Sequence, residues 1–285
     1  MQPEEYIMTK SINSDDMKFI EVDGLKIRFQ RNEVEGRIPI VLTSPWPESL
    51  YAYHRIWPFL SAEAPLLAFD LPGFGHSESR QQLMSPRAMG EFIPKILAAL
   101  DLDRVHAVGP DVGTSAFLFA AQARPELFES LVVGSGAVDT ALTTGALKDI
   151  INAQSTVAFE EISGETFVAG VIESMMKSAP EPQALTDYQA ASAGRRLIEA
   201  MAYVRAYPTD LPILHSELPG IQTPVLSIWG TEDPLVPPEN ADVLNRSLPR
   251  TRSLLLDGGH FVWEDRADEY AAAILEWVRG GYRTA

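Results

Sequence analysis

The chain has 285 residues, 46% of them apolar, which is enough for one large buried core and excludes a disordered or fibrous protein. Its net charge of -16 argues against nucleic acids and anionic membranes as partners, because phosphate groups are bound through Lys and Arg. The absence of cysteine excludes disulfides, thiol nucleophiles and thiolate metal sites. We therefore expect a protein that acts on a small-molecule substrate.

The N-terminal stretch MQPEEYIMTKSINSDD, residues 1–16, is polar and acidic. It has neither the basic region nor the apolar region of a signal peptide. No apolar run elsewhere approaches the ~20 residues that a membrane-spanning helix needs. These features predict a cytoplasmic protein without a membrane partner, and they leave both a monomer and a homodimer open.

The predicted elements begin with a hairpin. Residues 17–30, MKFIEVDGLKIRFQ, alternate apolar and polar side chains around Asp23-Gly24, a strong hairpin signal. Short apolar runs follow and predict strands that are buried on both faces of a parallel sheet, at 38–44, 65–70, 105–109, 131–136 and 224–230. Helical periodicity at 85–102 and 114–128 lies between them, so the pattern predicts an α/β fold.

The alternation of strands and helices stops after Gly136, and residues 137–218 have helical patterns only. We call this segment the cap and expect it to lie over the C-terminal edge of the sheet, where open α/β sheets bind ligands. The α/β pattern then resumes until a closing helix. The predicted organisation is therefore a core, residues 1–136 and 219–285, with the cap inserted into it.

Three polar residues come just after predicted strands: Asp111 in GPDVG, Asp233 in WGTEDPLVP and His260 in LLLDGGHFVW. The C-terminal ends of parallel strands lie at one edge of the sheet, so these side chains are expected to meet. Each has an ordinary alternative, since Gly and Asp form turns, Asp233 could cap a helix near Pro237, and a single histidine is often structural. Their order of nucleophile, acid and histidine favours a catalytic triad.

Five ordered motifs carry a resemblance to a known family. They are SPWPESLYAYHRIWPFL (44–60), FDLPGFGHSES (69–79), GPDVG (109–113), WGTEDPLVP (229–237) and GGHFVWED (258–265). With them, the chain resembles the α/β-hydrolase fold superfamily from about Phe19 to the C-terminal helix. It is most similar to the branch with an aspartate nucleophile, which includes epoxide hydrolases, haloalkane dehalogenases and fluoroacetate dehalogenases. The resemblance implies an enzyme that needs no cofactor and no metal.

An aspartate nucleophile suits an sp³ carbon, which it converts into an alkyl ester of its own side chain. In this interpretation Asp111 attacks, His260 activates the water that cleaves the ester, and Asp233 orients His260. The backbone N–H groups of Val112 and Trp46 would form the oxyanion hole for the ester carbonyl. Trp46 is also a candidate for substrate binding, with packing beneath the cap as the equal alternative.

The possible substrates differ in the leaving group, and each leaving group needs a different kind of donor in the site. Opening an epoxide requires an acid, and the epoxide hydrolases that this chain resembles use cap tyrosines, one of them usually just before an arginine. Here the stretch MAYVRAYPTD has Val204 before Arg205, and Tyr203 one position earlier. The candidate acids in the cap are Tyr188, Tyr203, Tyr207 and His215, each with a packing or surface role as its alternative. Of these, Tyr188 and Tyr203 are the predicted substrate-binding residues.

Release of a halide requires N–H donors instead, often from a tryptophan directly after the nucleophile, where this chain has Val112. The cap contains no tryptophan, so the sequence favours epoxide hydrolysis over dehalogenation. Two further hypotheses stay open. One is an enzyme in which Asp111 acts as a base on a lactone or a C–C bond, and the other is a ligand-binding relative without turnover.

Departures from the family pattern mark a distinct subgroup. Ser44-Pro45 replaces the usual His-Gly before Trp46, and Pro110 replaces the common histidine before the nucleophile. Pro45 has no N–H and a fixed φ, which predicts a stiffer loop at this point. The resemblance also predicts a cis peptide bond between Trp46 and Pro47.

Overall fold

The computed structural model describes residues 12–13, 16–32, 34 and 37–285. Most of the N-terminal stretch that lacks signal-peptide features therefore lies outside the described residues. One mostly parallel sheet of eight strands has the order β1-β2-β4-β3-β5-β6-β7-β8. The strands are β1 (Lys18–Val22), β2 (Leu25–Arg31), β3 (Ile40–Thr43), β4 (Leu66–Phe69), β5 (Val105–Pro110), β6 (Phe128–Gly134), β7 (Val225–Gly230) and β8 (Thr251–Leu256).

The predicted N-terminal hairpin is confirmed. β1 pairs antiparallel with β2, and the register brings Val22 opposite Leu25. The two residues of the turn, Asp23 and Gly24, both have positive φ, at 52° and 76°. This is the geometry that a two-residue turn with the right-handed twist of the strands requires. β2 also pairs antiparallel with β4, and the pairings from β4 through to β8 are all parallel.

The apolar runs form the central strands for the physical reason that the sequence suggests. Helices cover both faces of the sheet, so every residue of β3, β4, β5 and β7 is buried. Successive side chains point to opposite faces. Ala107 of β5 therefore packs in one hydrophobic cluster, and Val108 packs in the cluster on the other face.

The helices fall into three groups along the chain. The first group is α1 (Trp57–Ser61), α2 (Pro86–Ala99) and α3 (Val112–Ala123). The cap segment holds α4 (Gly145–Asn152), α5 (Gly164–Met175), α6 (Pro182–Ala191), α7 (Arg196–Arg205) and α8 (Tyr207–Glu217), and no strand is formed there. The last group is α9 (Glu239–Ser247), α10 (Val262–Asp265) and α11 (Ala267–Val278). None of the helices in the described part of the chain is long and apolar enough to cross a membrane.

Buried polar contacts attach the cap to the core. The guanidinium of Arg28, on β2, lies 2.5 Å from Asp70 and donates two hydrogen bonds of 2.9 and 3.0 Å to Asp187 on α6. The Ser49 hydroxyl also donates to Asp187, at 2.5 Å. Because Asp187 belongs to the cap and its partners to the core, this ion network holds α6 against the sheet.

Candidate active site

Asp111 stands at a sharp turn between β5 and α3. Its backbone has φ 52° and ψ -122°, a strained conformation for a residue with a side chain. Close packing around the turn depends on two glycines. A Cβ on Gly113 would lie 2.6 Å from the Thr43 hydroxyl oxygen, and one on Gly136 would lie 2.2 Å from the carbonyl oxygen of Asp111. The turn can therefore form only where the chain provides this space.

The two oxygens of the Asp111 carboxylate have different surroundings. Oδ2 accepts a hydrogen bond of 2.6 Å from the backbone N–H of Trp46. The neighbouring backbone N–H of Val112 also favours the ionised form of this carboxylate and lowers its pKa. Oδ1 lies 3.8 Å from Nε2 of His260. One oxygen is thus held by a main-chain donor, which leaves the other facing the histidine. The peptide bond between Trp46 and Pro47 is cis, as predicted.

His260 is positioned by Asp233. Its Nδ1 lies 2.9 Å from Oδ2 of Asp233, and the other oxygen of that carboxylate accepts hydrogen bonds of 2.9 Å from the N–H groups of Leu235 and Val236. Nδ1 therefore carries the proton, and Nε2 is directed towards Asp111. Helix α9 begins at Glu239, beyond the reach of a cap at Asp233.

The electrostatics of the site follow from its burial. Asp111 is 8% exposed and His260 is 2% exposed. Burial raises the pKa of Asp111 to about 6, although His260 and the N–H groups of Trp46 and Val112 act in the opposite direction. Burial alone would lower the pKa of His260, but the charges of Asp233 and Asp111 outweigh it and raise that pKa. The arrangement therefore keeps a carboxylate and a basic imidazole side by side in a site of low polarity.

A small cavity of about 30 Å³ lies beside Asp111, between the core and the cap. Its walls are Trp46, Pro47, Asp111, Ala146, Leu147, Ile150, Phe167, Val171, Met175, Val204, Leu235, His260 and Phe261. Apart from Asp111, His260 and the indole of Trp46, these side chains are apolar. A volume of this size holds only about one or two water molecules, so the cavity must widen before an organic substrate can enter.

Trp46, a residue of this wall, carries a further N–H donor on its indole. Its ring stacks on Phe167 of α5, with a distance of 6.2 Å between the ring centroids. Its Nε1 is buried and has no hydrogen-bond partner among the residues that the structure describes. A buried N–H without a partner costs about 1–3 kcal/mol, which a ligand in the cavity can recover by accepting a hydrogen bond.

The two predicted substrate-binding tyrosines of the cap lie outside the wall of the cavity. The hydroxyl of Tyr188 donates to Glu264, at 2.7 Å, and the hydroxyl of Tyr203 donates to the carbonyl oxygen of Val112, at 2.8 Å. Val204, the neighbour of Tyr203, lines the cavity instead. The structure thus brings Asp111, Trp46 and the Val112 backbone together, and it places both tyrosines on other partners.

The remaining two candidate acids also lie apart from the cavity wall. Tyr207 is buried and packs edge-on against the ring of Tyr203, with 5.9 Å between centroids. His215 is exposed on α8 and borders a surface cleft with Val138 and Leu211. The apolar cap residues that do form the wall were missed in the sequence, because their helical periodicity does not show which face meets the core.

A second feature that the sequence pattern does not reveal is a buried pair of carboxyl groups behind the histidine. Glu48 and Glu264 are each 1% exposed. Burial raises the pKa of both, and the proximity of Glu264 raises the pKa of Glu48 further. The indole N–H of Trp263 donates to Glu48 at 2.9 Å, and its ring packs edge-on against His260. The pair therefore supports the loop that carries the histidine.

Comparison with known proteins gives a consistent relationship. The alpha/beta hydrolase fold family matches residues 38–267. The uncharacterized hydrolase YugF of Bacillus subtilis is 26% identical, over 90% of this chain and 96% of its own. Haloalkane dehalogenase 2 of Mycobacterium tuberculosis is 27% identical and covers 84% of this chain and 87% of its own. The soluble epoxide hydrolase of a Corynebacterium species is 30% identical, but over only 33% of each chain.

Solved structures are similar in fold. The haloalkane dehalogenase DbeA from Bradyrhizobium elkani superimposes with a TM-score of 0.79, over 94% of this chain and 99% of its own. Its sequence identity of 18% is low. This likeness therefore describes the arrangement of the chain and carries no information about the substrate.

Proposed function

Because the chain belongs to the alpha/beta hydrolase fold family, we propose that it is a hydrolase in which Asp111 attacks an sp³ carbon and forms an alkyl ester. One observation carries this proposal. Oδ2 of Asp111 is held at 2.6 Å by the N–H of Trp46, while Oδ1 lies 3.8 Å from Nε2 of His260. A carboxylate in this position has one oxygen held by the main chain and the other directed towards a base.

The reaction has two steps. In the first, Oδ1 of Asp111 forms a bond to the carbon, and the leaving group departs with the electron pair of the broken bond. In the second, His260 takes a proton from water, and the hydroxide attacks the ester carbonyl. The N–H groups of Trp46 and Val112 stabilise the charge on the carbonyl oxygen. Collapse of this intermediate releases the alcohol and regenerates the Asp111 carboxylate, and His260 returns its proton to solvent.

The surroundings of the cavity favour a leaving group that departs as an anion without a proton. Within the described residues, no tyrosine hydroxyl lines the cavity, and Tyr188 and Tyr203 donate elsewhere. Trp46 is a wall residue, and its buried indole N–H has no hydrogen-bond partner among the described residues. We therefore propose a small, apolar halogenated alkane as the substrate, ahead of the epoxide that the sequence favours.

Epoxide hydrolysis is the second candidate. It depends on the proton that the alkoxide must receive, and the hydroxyls of Tyr188 and Tyr203 already donate to other partners. Opening of the cap by rotation of α7 would have to release Tyr203 from the Val112 carbonyl before its hydroxyl could reach a substrate. The motifs shared with epoxide hydrolases, and the short similarity to one of them, support this candidate.

A single-turnover reaction in ¹⁸O-labelled water tests the ester. Water attacks the carbonyl carbon of the ester, so the label should enter the Asp111 carboxylate and be absent from the alcohol of the first turnover. Mass analysis of the peptide that contains Asp111 measures it. In the His260→Gln variant the second step should slow by about 10²- to 10⁴-fold, and the peptide should carry the mass of the alkyl group. Label in the product alone would instead indicate that Asp111 acts as a base.

A substrate panel decides the leaving group. Short chloro- and bromoalkanes, small epoxides and small lactones are compared at matched chain length, with halide release measured separately from diol formation. Trp46→Phe keeps an aromatic ring beside Phe167 and removes the indole N–H. The substitution should lower the rate of the first step more for haloalkanes than for epoxides. Turnover of epoxides alone, unaffected by Trp46→Phe, would remove the haloalkane proposal. A protein that turns over none of the three classes would favour the ligand-binding hypothesis.

A further inference from the structure

The hydroxyl of Tyr203 joins the cap to the nucleophile turn. Tyr203 lies on α7 and is fully buried. Its hydroxyl donates to the carbonyl oxygen of Val112 at 2.8 Å and lies 3.3 Å from the hydroxyl of Ser115. Val112 is the first residue of α3 and follows Asp111 directly. A side chain of the cap therefore holds the residue whose N–H lies next to Asp111 and favours its carboxylate.

The position of this hydroxyl is rigidly determined. The ring of Tyr203 packs edge-on against Phe74, at 5.4 Å between centroids, and against Tyr207, at 5.9 Å. A buried phenol needs a hydrogen-bond partner, because an unpaired one costs about 1–3 kcal/mol. This phenol bonds to main chain at the turn, and the two ring contacts hold the ring in the position that allows this bond.

The same helix also shapes the cavity. Val204 of α7 lines it, and Arg205 donates two hydrogen bonds to the carbonyl oxygens of Ile150 and Ala153 at the end of α4. Ile150 is itself part of the cavity wall. Displacement of α7 would therefore move the wall and withdraw the Tyr203 hydroxyl from Val112 together.

We propose that Tyr203 is a positioning residue that sets the oxyanion donor of Val112 when the cap is seated on the core. Asp111 has a strained backbone at φ 52°, and such a conformation persists only where surrounding contacts over-determine it. The Tyr203 hydroxyl supplies one of these contacts from a separate part of the chain. This inference rests on the proposed ester mechanism, since the donor acts most strongly when ester hydrolysis places negative charge on the carbonyl oxygen.

Tyr203→Phe tests it, because the substitution keeps the ring and removes one oxygen. Complete loss of an oxyanion donor lowers kcat by about 10²–10³. Loss of the Tyr203 hydroxyl, which only supports the Val112 donor, should have a smaller effect. We expect kcat to fall about tenfold and KM to stay almost unchanged. The loss should fall on the second step, so that the alkyl ester of Asp111 accumulates during turnover and is detected by mass analysis. Tyr270→Phe is the matched control, since that buried hydroxyl has no hydrogen-bond partner in the described part of the chain.

Two results would overturn the inference. One is a Tyr203→Phe enzyme with unchanged kcat and no ester accumulation. The other is an equal decrease in the rates of both steps, accompanied by a lower melting temperature. That result would indicate that Tyr203 has a structural role only. Hydrogen exchange of the peptide that contains residues 109–116 gives a readout that does not depend on turnover. Exchange should be faster in Tyr203→Phe than in wild type or Tyr270→Phe. Failure to trap an ester in His260→Gln would contradict the proposed function. The hydrogen-exchange result would then still test whether the Tyr203 hydroxyl holds the turn at Asp111.

Discussion

Replacement of Asp187 by Asn tests whether the buried ion network holds the cap on the core. The side chains of Arg28 and Asp187 are 5% and 15% exposed, and four polar atoms lie close to the Asp187 carboxylate. Two belong to Arg28 at 2.9 and 3.0 Å, one to Ser49 at 2.5 Å, and one to His76 at 3.1 Å. The substitution keeps the shape of the side chain and removes its charge.

The structure sets the size of the effect. Removal of one member of a buried ion pair costs about 3–5 kcal/mol when the other charge is left alone. Here Arg28 keeps Asp70 at 2.5 Å, and the carbonyl of the new Asn can still accept one hydrogen bond. We therefore expect a loss of about 2–3 kcal/mol in the free energy of unfolding, near the value of one charge-assisted hydrogen bond. This corresponds to a decrease of roughly 3–5 °C in melting temperature for a chain of 285 residues.

The loss of unfolding free energy in Asp187→Asn should also depend on pH. Burial would raise the pKa of Asp187, but the contacts with His76, Arg28 and Ser49 outweigh it and hold that pKa far below its usual range. A carboxylate with a lowered pKa stabilises the fold above its unfolded pKa of about 3.9, and this stabilisation is lost as the pH falls below that value. The difference between wild type and Asp187→Asn should be constant from pH 7 to about pH 5 and should shrink in more acidic solution.

Urea unfolding followed by circular dichroism measures the free energy of unfolding, and thermal melting curves give the melting temperature. Both are recorded from pH 7 into acidic solution. Asp23→Asn is the control, because Asp23 has a comparable pair of cationic partners, Arg80 and Lys95, at the protein surface. Its effect should be far smaller, since solvent screens exposed pairs. Equal effects of the two substitutions, or an Asp187→Asn difference that grows in acid, would refute the reasoning about buried charge.

Three further predictions follow from the site. The pKa of Asp111, about 6, requires kcat/KM to fall as the pH decreases through 6, which a pH profile with a neutral substrate measures. Because that pKa is raised, the ionised side chain destabilises the fold, so Asp111→Asn should increase unfolding stability by about 2–3 kcal/mol at pH 8 and by nothing near pH 3. Gly136→Ala should abolish activity, because its Cβ would displace the carbonyl of Asp111. Gly170→Ala on α5 has open space around its Cβ and should increase the free energy of unfolding by about 0.5–1 kcal/mol. Kinetic assays measure the first effect, and melting curves measure the second.

Much of the core was predictable from the sequence. Buried parallel strands are short apolar runs, and strands such as β7 and β4 lie within one residue of the predicted ranges at each end. The hairpin was visible because Asp23-Gly24 satisfies a local requirement for positive φ. Residues after strand ends meet because parallel strands share one edge, so the sequence pattern alone is enough to group Asp111, Asp233 and His260.

The partners of the cap tyrosines could not be predicted in this way. The periodicity of α7 places Tyr203 and Val204 about 100° apart, but it does not state which of them faces the core. The structure directs Val204 to the cavity and Tyr203 to the Val112 carbonyl, and it directs Tyr188 to Glu264. The preference for an epoxide substrate depended on a tyrosine hydroxyl in the cavity, so this packing changes the favoured leaving group.

The sequence by itself determined the α/β fold, the order of the polar residues at the strand ends and the aspartate at the turn, because each depends on local conformation or on strand geometry. Only the tertiary structure decided which side chains close the cavity, which hydroxyls are already bonded, and how burial shifts the pKa of Asp111 to about 6. These properties depend on contacts between segments far apart in the chain, such as Tyr203 with Val112. No local pattern encodes such contacts, since many packings of the same amphipathic helices bury equal apolar area.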